Sequence, residues 1–358
     1  MKRIRIGIAG TGKMANAHAQ SFKALRGASL AACYDVDAGR SREFAERHGV
    51  ARAVASFEDL LEESDAVCIV TPDRFHAGLS IRALRAGKHV LCEKPLAVTL
   101  AEARPAAREA RKAEARGLIH MVNFSYRRSA ALEQAARLIR AGELGDLRHL
   151  HGHYLQTWLS APVWGHWTED AWLWRLKSAA GSLGVLGDVG CHILDLASAA
   201  AGRIVRIRCE LRTFPKTAPD GRSVRRWNGG PLDANDTAVL ELELEGGALG
   251  LLHTTRWATG HKNHLRLEVH GTKGALAFDL DRSYEALDVC LGSDRDKAEW
   301  KTRVARPAPS IYQRFVRAIR TGTPAEPDFH RGAEVQAYLD ACERSAETRQ
   351  WEKVNRSS

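Results

Sequence analysis

Two short stretches of this chain combine side chains that could move a proton. Glu93-Lys94-Pro95 closes an apolar run, and residues 187–195 read Gly-Asp-Val-Gly-Cys-His-Ile-Leu-Asp. Asp188, His192 and Asp195 are spaced i, i+4 and i+7, so a helix would place all three on one face. Histidine titrates near neutral pH, and a lysine can polarise a hydroxyl or help to transfer its proton. We therefore predict that Lys94, Asp188 and His192 are catalytic.

Each stretch also has a structural explanation. Asp188 follows a glycine and would suit a helix N-cap, while His192 and Asp195 could form a structural pair. Glu93 and Lys94 could be a surface ion pair at the end of a strand. Taken alone, neither stretch decides between the catalytic and the structural explanation.

A glycine-rich loop near the N-terminus indicates a cofactor with which these groups could act. The run Ile4 to Ile8 predicts a strand, and the six residues Gly-Thr-Gly-Lys-Met-Ala from Gly10 follow as a phosphate loop and helix start. Gly10 would make the tight turn, Gly12 would let the backbone approach a pyrophosphate, and the small Ala15 would allow close helix packing. The helix N-terminus would then face the phosphates. The predicted cofactor contacts of this loop are Gly10, Thr11, Gly12, Lys13 and Met14.

Asp35 extends this pattern. It lies 20 residues beyond Ala15, at the end of the second predicted strand, where a carboxylate can hydrogen-bond ribose hydroxyls. Its charge would repel a 2′-phosphate, so Asp35 favours NAD over NADP, although the nearby Arg40 leaves room for both. The alternative is a glycine turn without a ligand and an aspartate that only caps the next helix. With a hydride acceptor present, the proton-transfer groups indicate alcohol oxidation or carbonyl reduction.

Length and pattern predict two α/β domains. At 358 residues the chain exceeds the size at which single cores usually stop growing. Short β-branched runs alternate with alanine-rich helices over the first third of the chain, which is the pattern of βαβ units and a parallel sheet. Past Gly202, consecutive strands with short turns predict an antiparallel sheet. We predict an NAD(P)-binding domain over residues 1–123 and a second α/β domain over residues 124–358.

The hydrophobic pattern also places the elements. In the first domain the predicted strands are Ile4–Ile8, Leu30–Tyr34, Ala66–Val70, His89–Cys92 and Leu118–Asn123, and the predicted helices are Ala15–Leu25, Arg40–His48, Phe75–Ala86 and Leu100–Ala115. In the second domain the predicted strands are Arg148–Gln156, Val205–Arg212, Ala238–Leu244, Leu249–Arg256, Leu265–His270 and Ala275–Asp279, and the predicted helices are Leu132–Ala141, Ile311–Ile319 and Gly332–Thr348.

Bulk composition narrows the class of protein. Hydrophobic content of 44% and charged content of 27% are ordinary for a globular protein. The N-terminus does not resemble a secretory signal, and no apolar run approaches the roughly 18 residues that span a bilayer, so we expect a cytoplasmic protein. The net charge of +10 raises the question of nucleic acid, but no nucleic-acid motif accompanies it and we predict no such partner. The seven cysteines form no C-x-x-C pair and are expected to be reduced and buried.

Two clusters admit more than one explanation. Three histidines that alternate along a strand could ligate zinc, but a strand with one polar face explains them equally and we predict no metal: His149, His151 and His153. Five tryptophans in one short segment would suit the C–H faces of a cyclic polyol, with core packing as the alternative: Trp158, Trp164, Trp167, Trp172 and Trp174.

Taken together, the motifs resemble the Gfo/Idh/MocA family of sugar and inositol oxidoreductases over nearly the whole chain. Besides the phosphate loop and Glu93-Lys94-Pro95, the motifs that occur in family order are Thr71-Pro72 with His76, Tyr126-Arg127, Trp174-Arg175, the Gly187 to Asp195 stretch and Tyr312-x-x-Phe315. The resemblance implies that residues 1–123 form a Rossmann domain and that residues 124–358 form a substrate-binding and oligomerisation domain. The open, mainly antiparallel sheet of such a domain often forms the oligomer interface, here of a homodimer or homotetramer.

The resemblance also implies roles for individual residues. Lys94, Asp188 and His192 would act at the substrate carbinol. The dinucleotide would be lined by Thr71, Pro72, His76, Glu93 and Lys94, with Trp174 and Arg175 near the nicotinamide. Substrate contacts would come from Lys94, Asn123, Tyr126, Arg127, Trp158, Asp188 and His192. The segment from Trp164 to Trp172 lies where substrate selectivity is expected.

The leading hypothesis is an NAD-dependent enzyme that reversibly oxidises a secondary hydroxyl of a cyclic polyol, sugar or glycoside. His192 would be the general base, Asp188 would orient it, and Lys94 would polarise the hydroxyl. Two alternatives remain: a glycoside-cleaving enzyme that uses transient oxidation by bound NAD, and a dinucleotide or sugar sensor without catalysis.

Overall fold

The computed structural model describes residues 3–180 and 182–355, and by its contacts the chain divides into two compact units. The first unit contains the chain up to Ser125 together with Pro309–Gln336. The second unit contains Tyr126–Ala308 and Ala337–Asn355.

The first unit is built around a six-stranded parallel sheet. Its strands are β1 (Ile4–Ala9), β2 (Ala28–Tyr34), β3 (Arg52–Ala53), β4 (Ala66–Ile69), β5 (His89–Cys92) and β6 (His120–Val122). Their order is β3-β2-β1-β4-β5-β6, with every pair parallel. This is the doubly wound dinucleotide-binding order, in which ligands bind outside the carboxyl ends of the strands where the order reverses, between β1 and β4.

Helices connect these strands. They are α1 (Lys13–Lys23), α2 (Ala38–His48), α3 (Phe57–Glu62), α4 (His76–Arg85) and α5 (Leu100–Glu114). Ser56 and Thr99 begin α3 and α5 with capping boxes, and the Asp37 side chain caps α2 by accepting from two backbone N–H groups. Such caps satisfy amide donors that the first turn of a helix leaves without partners. Strand β4 is buried at every residue, as expected for a central strand covered on both faces.

The second unit is built around a nine-stranded sheet. Its long strands are β7 (Leu147–Leu155), β8 (Ile204–Arg212), β13 (Thr237–Leu244), β14 (Leu249–Thr255), β15 (His264–Gly271), β16 (Gly274–Asp279), β17 (Ala286–Leu291) and β18 (Lys301–Val304), completed by the short β19 (Glu352–Lys353). The order is β18-β17-β16-β15-β7-β14-β13-β8-β19. All neighbours are antiparallel except β7 and β14. Two small hairpins lie outside this sheet and pair β9 (Lys216–Thr217) with β10 (Ser223–Val224) and β11 (Arg226–Trp227) with β12 (Gly230–Pro231).

The two faces of this sheet differ. Burial alternates along β7 and β14, as a sheet with one covered face requires. Helices α6 (Ala130–Arg140) and α8 (Cys191–Ala201) pack on the covered face. The opposite face, which we call the open face, carries exposed apolar side chains and a group of histidines: Val239, Leu249, Leu251, His149, His151, His153, His253 and His270.

Three helices complete the chain. These are α7 (Asp170–Leu173), α9 (Ile311–Thr321) and α10 (Phe329–Thr348). Single 3₁₀ turns occupy Asp73–Phe75, Ser125–Arg128, Trp174–Leu176, Ser178–Ala180 and Gly292–Lys297, and Leu186–Gly190 forms a π-helical turn directly before α8.

The predicted fold class is confirmed. The parallel order of the first sheet and the open, mainly antiparallel second sheet are both present, and most predicted elements agree with the structure to within two residues at each end. The division of function at residue 123 stays a prediction; the contacts add Pro309–Gln336 to the first unit.

Two bulk features can also be compared. All seven cysteines lie among the described residues, are buried and form no disulfide, which confirms that expectation. In the part of the chain that the structure describes, no helix combines the length and apolarity that crossing a membrane requires.

Candidate functional site

The phosphate loop has one glycine fixed by the protein and one that faces open space. Gly10 has φ +90°, and a Cβ there would lie 2.7 Å from the carbonyl oxygen of Val70. Gly12 is exposed and begins α1, yet a Cβ there would meet no atom of the chain within 4 Å. The space beside Gly12, at the N-terminus of a helix, is therefore open to a phosphate group. Lys13 and Met14 are exposed at this helix start.

Asp35 holds the loop in place. One carboxylate oxygen accepts from the Thr11 N–H at 2.8 Å and from the Thr11 hydroxyl at 2.9 Å, while the other accepts from the Asp37 N–H and from Arg40. Burial opposes ionisation, but these hydrogen bonds and the charge of Arg40 outweigh it and lower the pKa of Asp35. The predicted ribose acceptor is thus an anion at neutral pH, and its contact with Thr11 joins β2 to the phosphate loop.

His76 connects two further loops at the same edge of the sheet. Its Nδ1 lies 2.7 Å from the Pro95 carbonyl oxygen and its Nε2 lies 2.8 Å from the Thr71 carbonyl oxygen, with the ring buried. His76 therefore links the Thr71-Pro72 loop to the loop that carries Lys94. Contact of His76 with the dinucleotide stays a prediction. The buried Thr71 hydroxyl has no partner among the described residues.

Glu93 is the centre of a buried polar network. Its Oε1 lies 2.7 Å from His18 Nε2 and accepts from Asn123 Nδ2 at 2.5 Å, and its Oε2 accepts from the Lys94 N–H at 3.2 Å. The structure thus gives Glu93 protein partners and makes it a support for the backbone of Lys94, which is itself half-buried. Asn123 Oδ1 is buried and has no partner among the described residues.

His18 and Glu93 shift one another's pKa. Burial disfavours the charged ring of His18, but Cys68 Sγ at 3.0 Å and Glu93 outweigh it and raise the pKa of His18 to about 10. Burial likewise disfavours the Glu93 anion, but the bond from His18 and the charge of Lys94 lower the pKa of Glu93 to about 2. The two groups form an ion pair at neutral pH. Sequence reasoning missed His18, although its place on the buried stripe of α1 with Ala15 and Phe22 was a signal.

The fit of NAD to the first unit follows from its residues. A loop glycine packed against Val70, open space at Gly12, an ionised Asp35 and the unpartnered Thr71 hydroxyl together suit a ligand with phosphates and hydroxyls. When bound, NAD supplies the acceptor for a hydride.

In the second unit, Asp188 lies inside a helix. Val185 already has helical backbone angles, and the π-helical turn Leu186–Gly190 runs directly into α8. Asn235 caps the start, because its side-chain Oδ1 accepts from the Leu186 N–H at 3.0 Å and its carbonyl from the Val185 N–H at 2.8 Å. The alternative that Asp188 is a helix N-cap is therefore wrong.

Asp188 instead contacts two arginines. Arg256 Nη2 donates to Asp188 Oδ2 at 3.0 Å, and Arg175 Nε lies 3.6 Å from the same oxygen. The Arg175 guanidinium also stacks over Trp174, with 4.4 Å to the ring centroid. The predicted nicotinamide neighbours Trp174 and Arg175 thus lie beside the predicted catalytic Asp188. Sequence reasoning missed Arg256, which follows β14 without any motif to mark it.

His192 faces two tyrosines. Its ring is buried and lies edge-on to Tyr126, with centroids 4.9 Å apart, and 6.1 Å from Tyr154. Tyr154 donates its hydroxyl to Asn263 Oδ1 at 2.6 Å, so the 2.6 Å contact between the two tyrosines has Tyr126 as donor. Burial raises the pKa of Tyr154 and keeps it a neutral phenol. The predicted substrate residue Tyr126 is thus adjacent to the predicted base.

Two other residues predicted to contact substrate, Arg127 and Trp158, form hydrogen bonds with other residues of the protein. Arg127 donates to both carboxylate oxygens of Asp195, at 2.6 and 2.8 Å, so Asp195 has a cation as a partner, and the suggested pair of Asp195 with His192 stays a prediction. Trp158 is buried, donates to Gln156 Oε1 at 3.1 Å and belongs to an apolar cluster. That cluster contains Trp158, Leu159, Trp167, Leu173, Leu176 and Leu232, with Trp164, Trp172 and Trp227 packed against it. Substrate contact by Arg127 or Trp158 stays a prediction.

The histidines of β7 do not converge on one point. His149 and His151 stack with His270, whereas His153 contacts His253 and His264. Among the described residues, the group whose ligand atoms lie within 4.8 Å of one another is Glu114, His120 and His330. There the Phe329 N–H donates to His120 Nδ1, which leaves the proton on Nε2 toward Glu114, the tautomer that disfavours a metal.

Comparison with known protein families agrees with the two units. Residues 4–124 match the oxidoreductase family with an NAD-binding Rossmann fold, and residues 132–277 match the GFO/IDH/MocA C-terminal domain.

The chain is also similar to individual proteins over most of its length. The levoglucosan dehydrogenase of Pseudarthrobacter phenanthrenivorans is 29% identical, with 99% of both proteins covered. The myo-inositol 2-dehydrogenase of Thermotoga maritima is 27% identical, with 90% of both covered. Among solved structures, a levoglucosan dehydrogenase in complex with NADH has a TM-score of 0.86 at 27% identity, covering 99% of this chain and 100% of that one. An oxidoreductase domain protein from Kribbella flavida has a TM-score of 0.85 at 34% identity, with the same coverage.

Proposed function

Because the chain belongs to the Gfo/Idh/MocA family of NAD-binding oxidoreductases, we propose that it is a dehydrogenase that oxidises a secondary hydroxyl of a cyclic sugar, anhydrosugar or polyol with NAD. The observation that carries the proposal is the full-length similarity to levoglucosan dehydrogenase, with 99% of both chains covered. The ionised Asp35 beside the phosphate loop supports NAD as the cofactor, because a fixed negative charge repels the 2′-phosphate of NADP.

The chemistry divides between three residues. His192 takes the hydroxyl proton as the carbinol C–H leaves as hydride, and in the reverse direction it returns that proton. Asp188 orients the imidazole and stabilises its positive charge. Lys94 donates a hydrogen bond to the same substrate oxygen, which polarises the hydroxyl. Glu93 supports this role through its contact with the Lys94 backbone.

Tyr126 and Arg175 contribute to substrate binding in this proposal. Tyr126 donates a hydrogen bond to Tyr154, so toward a sugar hydroxyl its oxygen would act as an acceptor. Arg175, held over Trp174, supplies donors next to Asp188.

The proposal extends to assembly. The open face presents the exposed Leu249 and Leu251 on β14 and the exposed Val239 diagonally across from Leu251 on β13, and exposed apolar side chains on a sheet support association with a second copy. We propose a homodimer or homotetramer through this face. The seven buried cysteines without disulfides support a reducing, cytoplasmic compartment.

A substrate panel tests the function. Absorbance at the NADH band is followed with levoglucosan, inositols, hexoses, phosphorylated sugars and glycosides, with NAD and NADP in parallel. The proposal predicts NADH formation with a cyclic polyol or anhydrosugar and a faster reaction with NAD. Release of phenol from an aryl glycoside without net NADH would instead indicate glycoside cleavage by transient oxidation. Binding of NADH without turnover of any compound would indicate a sensor.

A further inference from the structure

Arg256 has a fully buried guanidinium that donates hydrogen bonds to Asp188 and to two backbone carbonyl oxygens. Its side chain is 0% exposed. Nη1 donates to the Arg175 carbonyl oxygen and Nη2 to the Gly184 carbonyl oxygen, each at 3.1 Å, and Nη2 also donates to Asp188 Oδ2. These acceptors precede or belong to the helix that carries Asp188 and His192.

The ring of Trp158 covers the guanidinium. The distance from the Arg256 guanidinium carbon to the ring centroid is 4.9 Å, within the range of a cation–π contact. Trp158 is itself buried in the apolar cluster, so it shields the arginine from water. Trp158, which the sequence analysis assigned to the substrate, thus has a partner within the protein.

Burying such a charge is unfavourable without compensation. Burial lowers the pKa of Arg256, with Asp188 and Asp236 acting in the opposite sense, and a guanidinium with so high an ordinary value remains charged at neutral pH. An apolar side chain of similar volume would satisfy packing at lower cost, so packing alone does not account for an arginine here. The carboxylate it contacts does account for it.

We propose that Arg256 is a positioning residue that fixes Asp188 as a permanent anion within the helix of His192. Asp188 then stabilises the protonated ring of His192 electrostatically and does not exchange a proton during turnover. This role rests on the proposed dehydrogenase function, because in that function the His192 ring becomes positively charged when it takes the hydroxyl proton. Arg256 itself acts through Asp188 and touches neither substrate nor cofactor in this account.

The charged and titratable groups around Asp188 set the expected pH behaviour. They include Arg256 and Arg175 as cations, Tyr154 as a neutral phenol, and His192 one helical turn further along. An adjacent cation favours the ionised form of a carboxylic acid, typically by one or more pH units. Without Arg256, Asp188 would take up a proton at higher pH, and activity would be lost earlier as pH falls.

The variants Arg256→Lys and Arg256→Met test this role. We expect kcat to fall about tenfold or more and the acid limb of the kcat profile to move up by about one pH unit in Arg256→Met, with a smaller change in Arg256→Lys. NADH affinity, measured by fluorescence, should remain within about twofold of wild type because the phosphate loop belongs to the first unit. The matched control is Lys301→Met, which breaks an ion pair of the second unit on the edge strand β18, 2.6 Å from Lys301 Nζ to Asp294 Oδ1, and should leave the acid limb in place.

A double-mutant cycle with Asp188→Asn separates positioning from mere structure. In the Arg256→Met background, Asp188→Asn should change kcat by less than it does in wild type, because the two residues act as a unit. An unshifted acid limb in both Arg256 variants, or fully additive effects on kcat, would overturn the role of Arg256.

The thermal unfolding of wild type, Arg256→Met, Asp188→Asn and the double variant gives a readout that does not require turnover. The Arg256–Asp188 coupling should be present at neutral pH and disappear in acid, where Asp188 is protonated; a coupling absent at neutral pH also overturns the proposal. A wild-type protein inactive with every substrate, but showing this coupling, would contradict the dehydrogenase function and leave the charge pair supported.

Discussion

Lys94 and His192 are the residues whose loss should separate chemistry from cofactor binding. Replacing either by alanine removes a group that polarises or deprotonates the hydroxyl, and positioned proton-transfer groups contribute about a hundredfold to ten-thousandfold to rate. We expect kcat to fall within that range in Lys94→Ala and His192→Ala. NAD affinity should persist because Gly10, Gly12 and Asp35 are unchanged. Steady-state kinetics and NADH fluorescence measure both quantities.

Lys112→Ala is the matched control for the lysine variant. Lys112 is highly exposed on α5 and has no part in the proposed site, so its turnover should equal that of wild type. Turnover of Lys94→Ala at the level of this control would contradict the role of Lys94.

At the residue scale, the sequence indicates candidate reacting groups but not the residues that contact them. Spacing pointed to Asp188 and His192, since residues one helical turn apart share a face. The partners are distant along the chain: Arg256 lies 68 residues from Asp188, and Glu93 lies 75 residues from His18. No local pattern joins such positions, so only the folded sheets reveal the pairs.

At the scale of elements, the end of β5 depends on the buried pair of His18 and Glu93. The pKa of His18 is raised to about 10 from an ordinary 6.5, so its contribution to stability is complete below about pH 6.5 and is lost as pH rises through about 10. The pKa of Glu93 is lowered to about 2 from 4.5, so its contribution is complete above about pH 4.5 and is lost as pH falls through about 2.

The pair therefore stabilises the first unit most between about pH 4.5 and 6.5. We predict that His18→Gln costs about 3 to 5 kcal/mol of unfolding free energy in that range, because Glu93 is left buried without its cation. The cost should shrink as pH rises toward 10. Denaturant unfolding of both proteins across this pH range measures it, with Lys112→Ala as the control, and a cost independent of pH would contradict the ion pair.

Element boundaries were predictable where the hydrophobic periodicity and the helix-capping residues agree. β5 was predicted at its observed bounds, and α5 at its observed start after the Thr99 capping box. The two-residue β3 and the exposed edge strand β18 were missed, because neither has enough apolar residues to show a period. The π-helical turn could not be predicted, since it depends on Gly187 packing so close to Leu183 that a Cβ would lie 2.3 Å from that side chain.

At the scale of the whole molecule, the open face should control assembly. Leu251 is 43% exposed on β14, beside the exposed Val239 and Leu249. A charge placed there should oppose burial of the face without disturbing the covered side of the sheet. We predict that Leu251→Glu weakens self-association at least about tenfold, which light scattering after size-exclusion chromatography would detect as a lower mass.

Val304→Glu provides the control for this prediction. Val304 is 74% exposed on β18, at the edge of the same sheet, and lies away from Leu249 and Leu251 on β14. The mass of Val304→Glu in solution should equal that of wild type. An unchanged mass for Leu251→Glu, with wild type oligomeric, would place the interface elsewhere.

The two-unit architecture was largely predictable from the alternation of elements, because βαβ units require a parallel sheet and short turns an antiparallel one. What the linear pattern could not show is the membership of Pro309–Gln336 in the first unit. Amphipathic helix α9 buries Ile311, Phe315 and Val316 in the core of that unit, and an apolar helical face does not by itself identify the sheet it covers.

The central claim is that hydride passes from a carbinol carbon of a cyclic sugar or polyol to NAD. The most direct test uses levoglucosan, or whichever compound of the panel reacts, deuterated at its ring carbinol carbons, with mass spectrometry of the nicotinamide product. The account predicts one deuterium in the reduced cofactor, with formation strongly slowed in His192→Ala. Reduced cofactor without deuterium, or product formed with no reduced cofactor at all, would contradict it.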